Sequence, residues 1–218
     1  REAMSLKIFV TGFSPFAGAK VNPAWEAVKR LPGEIAGADI VRLQIPVAFV
    51  RDGEVLRDAI RSYRPDAVLC VGQAGGRAEI SVERIAVNLM DSAIPDNDGV
   101  QPADMPICPH GKSAYFSTLP VKTMVQNIRA HGIPASVSNT AGTYVCNDVI
   151  YRLLFMAQNE FSGLRGGFIH VPFLPEQTVG LPPGTPSMSV QTITESLRCA
   201  LESIVAALTE RHDTHDSV

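Results

Sequence analysis

Ala67-Val68-Leu69-Cys70-Val71 is apolar at every position and runs directly into Gly72-Gln73-Ala74-Gly75-Gly76-Arg77. A strand with no polar face needs cover on both sides, the mark of a central strand in a helix-covered sheet. Upstream, Leu56, Ala59, Ile60 and Tyr63 recur at helical spacing before Pro65, and residues 40–45 read as another strand. Residues 7–11 form a short strand closed by Gly12 and the loop Phe13-Ser14-Pro15-Phe16. Asn22-Pro23 then opens a helix, with Asn22 as N-cap, Pro23 at the tolerated first position and Trp25, Val28 and Leu31 on the inner face.

Downstream of the central run, residues 80–89 are extended, and residues 91–115 are irregular and rich in Pro, Gly and Asp, long enough to suggest a functional loop. Residues 121–131 read as helix, 135–138 as extended, 146–161 as helix and 167–171 as the last core strand. A loop over residues 172–186 leads to a final helix with Val190, Ile193, Leu197, Leu201, Ile204 and Leu208 on one side. Strands alternating with helices predict a single α/β domain over residues 4–211, its mixed, mostly parallel sheet covered on both faces. Residues 1–3 precede a candidate initiator, Met4, and are expected to be extraneous; residues 212–218 are expected to be a flexible tail.

The composition narrows the function classes. A chain of 218 residues with 45% hydrophobic and 19% charged residues is expected to fold, and a net charge of −3 with dispersed Lys and Arg offers nucleic acid no footprint. No apolar stretch is long enough to span a bilayer, and no secretory pattern opens the chain. Cys70, Cys108, Cys146 and Cys199 form neither a disulfide framework nor C-x-x-C zinc spacing, so a reducing, cytoplasmic setting without a metal is expected. Cys70 and Cys199 read as packing.

Three residues stand out for chemistry. Cys146 ends Ser138-Asn139-Thr140-Ala141-Gly142-Thr143-Tyr144-Val145-Cys146, where an extended piece turns into a helix. First-turn N–H groups and the helix dipole favour thiolate there; the bland reading is a small buried hydrophobe. His170 is the one polar side chain in Gly167-Phe168-Ile169-His170-Val171-Pro172-Phe173 and needs a partner, as a core histidine or as a base. Alternation over residues 80–89 puts Ser81, Glu83, Ile85, Val87 and Leu89 on one face. Glu83 there either pairs with a structural Arg or orients an imidazole for a thiol.

Other matches fail on position. Pro106 stands where a phosphate loop ending in Gly111-Lys112-Ser113 needs glycine, and Phe16 breaks a serine-hydrolase elbow at residues 12–16. Asp96-Asn97-Asp98-Gly99 reads as a turn, since Ile94 and Met105 occupy positions where a calcium loop needs oxygen ligands. His212 and His215 read as solvated tail residues.

Together, residues 138–147, the Gly72–Arg77 loop with Glu83-Arg84-Ile85-Ala86-Val87-Asn88, and Gly167-Phe168-Ile169-His170-Val171-Pro172 closely resemble the bacterial pyroglutamyl peptidase I family. The likeness extends from Thr11 to the final helix. It implies a three-layer α/β/α fold, a Cys146–His170–Glu83 triad, no cofactor, a homotetramer, and small peptides with an N-terminal pyroglutamyl residue as substrates. Phe13 and Phe16 would wall a neutral lactam, Asn22 would help position that region, and Gln73 would hydrogen-bond near the reacting carbonyl. Tyr144, in place of a more usual Phe near the nucleophile, would be the fifth substrate-binding residue, and Ala93 falls where relatives usually carry Arg. Two other readings stay open at this point. One is an activity-weakened binding protein for a small cyclic amide, motivated by Ala93; the other is a phosphorylase-like enzyme cradling phosphate on the Gly-rich loop.

Overall fold

The computed structural model describes residues 5–215, with side chains to residue 211. Residues 1–3 and the side chains of His212 and His215, on which the expectations above touched, lie outside the described residues. In chain order the elements are β1 (Lys7–Phe13), α1 (Pro23–Val28), β2 (Glu34–Ile35), β3 (Ala38–Ile45), α2 (Arg51–Tyr63), β4 (Ala67–Gln73), β5 (Ile80–Glu83), β6 (Ile85–Val87), β7 (Ala114–Phe116), α3 (Val121–Ala130), β8 (Ala135–Ser138), α4 (Val145–Asn159), β9 (Arg165–Val171) and α5 (Val190–His215).

Seven strands form one sheet in the order β2-β3-β1-β4-β9-β5-β8. β3, β1, β4 and β9 run parallel, β5 runs against β9, β8 follows β5, and β2 runs against β3. The sheet is therefore mixed and mostly parallel. β4 is the middle strand of the seven, with three strands on either side, and its alternation divides the core. Leu69 and Val71 pack with α1, α3 and α5, while Val68 and Cys70 pack with α2 and α4. These two apolar clusters, one on each face, make the three layers that an all-apolar central strand requires.

The structure corrects three local expectations. Residues 80–89 do not form one strand, because at Arg84 the chain leaves the main sheet. The Arg84 N–H bonds to the Ser138 carbonyl, while the Arg84 carbonyl accepts from Ser117, and β6 pairs with β7 in a separate ribbon. The alternation that buries Glu83 consequently does not carry on to Val87, which is exposed. In α1, Ala24, Ala27 and Val28 form the inner face and Trp25 is half-buried, since the helix ends at Val28 and Leu31 belongs to the following turn. The loop over residues 172–186 contains a short 3-10 turn, Pro175–Thr178.

Candidate active site

His170 lies near the carboxyl end of β9, on the face shared with Phe168 and Cys70, and is 4% exposed. Its Nδ1 lies 2.7 Å from Glu83 Oε1, and Glu83 is fully buried. Arg77 Nη1 donates to the same carboxylate oxygen at 2.8 Å and Nη2 donates to the Thr140 carbonyl at 3.1 Å. Glu83 thus contacts both partners that the sequence leaves open, an arginine and an imidazole. With Nδ1–H given to Glu83, Nε2 keeps the lone pair. The edge of the Phe168 ring, 4.7 Å from His170 centroid to centroid, packs against the imidazole.

Burial lowers the His170 pKa from its ordinary 6.5, outweighing the upward pull of Glu83, so the ring is neutral at pH 7. Burial raises the Glu83 pKa, but His170 and Arg77 outweigh it and hold the carboxyl below its ordinary value. Both folded-state values sit below the unfolded ones, so their stabilisation is present at neutral pH and is lost as pH falls, first through the histidine value of 6.5. Thermal melts should drop progressively below pH 6.5, and His170→Gln should flatten that slope. With His170 as a base that must be neutral, the acid limb of activity is expected below 6.5.

Cys146 is the second residue of α4, whose N-terminus has no capping side chain. Its Sγ packs against Gly72, where a built Cβ would fall 2.7 Å from Sγ and 2.7 Å from Phe168 Cζ. Gly72 is the register partner of His170, so thiol and imidazole share one sheet face across neighbouring strands. They make no hydrogen bond to each other in the resting structure, a looseness common before substrate binds. The thiolate expected from the helix N-terminus is not what the surroundings favour. Burial, followed by the nearby Asp52 and Glu83 carboxylates, pushes the Cys146 thiol up, so it rests protonated and needs a base. Gly72→Ala should lower kcat/KM about tenfold to a hundredfold by displacing Sγ, measured beside a melting curve to separate misplacement from unfolding.

A small open cleft of about 40 Å³ is lined by Phe13, Phe16, Asn22, Val47, Gln73, Tyr144, Val145 and Cys146. The structure thus brings together all five predicted binding residues beside the predicted nucleophile. Asn22 does two things: its Oδ1 caps α1 at the Ala24 N–H, and its Nδ2 donates to the Ser14 carbonyl, pinning the Phe13–Phe16 loop. Gln177 Nε2 donates to Gln73 Oε1 at 3.0 Å, leaving the Gln73 amide N–H groups as donors. The Tyr144 hydroxyl donates to the Pro95 carbonyl, tying the cleft wall to the irregular loop. Asp96 accepts from the Asp98 and Val100 N–H groups and makes a turn there, as expected.

The sequence reading missed Val47, Gln177, Gly72 and the role of Arg77. None carries a local signal, because each matters through a partner at least six residues away. Phe13, Gln73 and Cys146, each at or beyond the end of a strand, meet at this one cleft. β8 runs opposite to β1 and β4, so Cys146 reaches the cleft through the loop that follows. Ala93 is exposed and absent from the cleft lining.

A sequence profile described as pyroglutamyl peptidase matches residues 6–207. The chain is 52% identical over 200 residues to the pyrrolidone-carboxylate peptidase of Enterococcus faecalis, covering 92% of this chain and 93% of that protein. It is 54% identical over 202 residues to that of Levilactobacillus brevis, covering 93% and 98%. The fold matches pyroglutamyl peptidase I of Bacillus amyloliquefaciens with a TM-score of 0.89 at 46% identity, over 93% of this chain and 98% of that one. It matches a mutant pyrrolidone carboxyl peptidase of Pyrococcus furiosus with a TM-score of 0.88 at 42% identity, over 93% and 100%. With matches this long added to a buried imidazole–carboxylate pair and a helix-start thiol on one sheet face, the chain belongs to the pyroglutamyl peptidase family.

Proposed function

We propose that this chain is a cysteine exopeptidase that removes N-terminal pyroglutamyl residues from small peptides, with Cys146 as nucleophile, His170 as base and acid, and Glu83 as the residue that orients His170. The observation that carries this reading is the cleft. Its walls are Phe13, Phe16, Val47 and Tyr144, it offers the neutral amides of Asn22 and Gln73, and it ends on Cys146. Apolar walls with a few neutral hydrogen-bonding groups suit an uncharged lactam, whereas a free N-terminal ammonium would need an acidic anchor.

The chemistry balances without a cofactor. His170 Nε2 takes the thiol proton while sulfur attacks the carbonyl carbon that follows the lactam ring. N–H groups of the uncapped first turn of α4 hold the oxyanion. The imidazolium gives its proton to the departing amine nitrogen, the C–N bond breaks, and a thioester remains. Water then gives a proton to the same imidazole, its oxygen attacks the thioester, and the sulfur leaves and is reprotonated.

Two rival readings are weaker. The Gly-rich loop cannot freely cradle phosphate, since a Cβ on Gly75 would lie 2.1 Å from the Phe173 ring, so that ring covers the loop, and Arg77 is committed to Glu83. The activity-weakened binding protein rested on Ala93, which does not line the cleft. Exposed Phe116, Met105 and Val100 fit a homo-oligomer, with the family resemblance favouring a tetramer. Four free cysteines fit a cytoplasmic setting, and no helix of the described residues is long and apolar enough to cross a membrane. The test is amine release from pyroglutamyl, prolyl and glutamyl chromogenic amides in phosphate-free buffer. Selective cleavage of the pyroglutamyl amide is expected; preference for either charged amide overturns the reading.

A further inference from the structure

Behind the nucleophile lie two carboxylates that the reaction above does not use. Asp52, in the first turn of α2, and Asp148, in the first turn of α4, are both fully buried. Asp148 Oδ2 accepts from the Val50 N–H at 3.1 Å and from Arg152 Nε at 2.9 Å, and Asp52 Oδ1 accepts from the Gly53 N–H. The second oxygen of each, Asp52 Oδ2 and Asp148 Oδ1, is buried and meets no N–H or hydroxyl donor. Two buried carboxylates with a single guanidinium would leave one uncompensated charge, a costly arrangement. One proton between the two orphan oxygens satisfies both and makes the trio neutral.

We propose that Asp52 and Asp148 share one proton, as an Asp52 Oδ2–H···Oδ1 Asp148 bond, and that this neutral pair is a positioning element holding the start of α4, and with it Cys146, against α2. The local build fits. Arg152 sits directly over Gly53, where a Cβ would lie 2.4 Å from its Cδ, so α2 and α4 meet closely at this point. Val50 is held at φ +67°, a conformation that a β-branched residue rarely adopts, with its N–H on Asp148. Phe49 and Val47, next along the chain, belong to the cleft side: the Phe49 ring packs against Tyr144, and Val47 lines the cleft. The acid pair therefore joins the nucleophile's helix to one wall of the cleft.

Burial and the neighbouring Asp148 carboxylate raise the Asp52 pKa well above its ordinary value, and Arg152 pulls the other way without reversing the shift. The groups facing Asp52 are Asp148, Arg152 and Cys146 on α4 and Cys70 on β4; Glu83 and Arg77 face Cys146 in turn. Losing the shared proton would add a negative charge beside Cys146 and oppose thiolate formation. The folded-state value of Asp52 is raised, so its contribution to stability is lost as pH rises, opposite in sign to that of His170.

The catalytic consequence rests on Cys146 being the nucleophile, whereas the shared proton does not, and two readouts keep them apart. Infrared spectra of the wild type should show a protonated-carboxyl band at neutral pH that disappears only at alkaline pH and is missing in Asp52→Asn, whose amide donates in the proton's place. Alkylation of Cys146 by iodoacetamide, followed by peptide mass spectrometry, should then rise less steeply with pH in the wild type. Normalised to its own neutral rate, Asp52→Asn should react about threefold to tenfold faster at the alkaline end. If Asp52→Asn does not fold, Asp52→Ser keeps one O–H donor and replaces it. Absence of the band in the wild type at neutral pH overturns the shared proton. A band with superimposable normalised alkylation profiles overturns its influence on the nucleophile.

Discussion

Cys146→Ser should lower kcat on a pyroglutamyl amide by about three orders of magnitude or more while leaving the melting temperature close to that of the wild type. The oxygen replaces sulfur with little change in volume, so the contact against Gly72 survives. What is lost is the nucleophile. A serine hydroxyl is far harder to deprotonate, and the His170–Glu83 pair is placed for a thiol that rests protonated but reacts as thiolate. Steady-state rates with active-site titration would separate a true residue of activity from wild-type contamination. Ordinary turnover in the variant would remove Cys146 from the mechanism.

Glu83→Gln should cost about two to three orders of magnitude in kcat, less than loss of the nucleophile. The amide keeps the shape but changes three things. The carboxylate that fixes Nδ1–H of His170 becomes a group able to donate as well as accept, which permits the wrong tautomer. The charge that partly offsets burial at His170 disappears, so the imidazolium formed during turnover is less stabilised. Arg77 loses its ionic partner and with it part of the tie to Thr140, on the approach to the nucleophile. A pH–rate profile is the discriminating measurement: the acid limb should move to lower pH as kcat falls. An unchanged limb with full activity would make Glu83 a structural ion-pair residue only.

Much of the architecture was legible because the central strand is uniform. Five apolar residues in a row admit few environments, and the observed β4 sends alternate side chains into two separate helix-covered clusters. Cys146, His170 and Glu83 were each visible for a local reason: a helix start, a lone polar group in an apolar strand, and an acid on a buried face. Their meeting was not visible, because it depends on β5 running against β9 and on Gly72 leaving room for sulfur. The direction of the thiol shift was misjudged for a similar reason. A helix N-terminus is a local feature, whereas the burial that outweighs it, aided by the Glu83 charge, comes from elsewhere in the chain. The acid pair Asp52–Asp148 left no trace in sequence at all, being two ordinary first-turn acids until their helices pack.

The most direct test of the nucleophile is stoichiometric modification by iodoacetamide, with residual pyroglutamyl hydrolysis and peptide mass maps read from the same samples. Loss of activity should track carbamidomethylation of Cys146 one for one and slow in the presence of 2-pyrrolidinone, a small neutral lactam suited to the cleft. Full activity in protein whose Cys146 is completely modified would contradict the account.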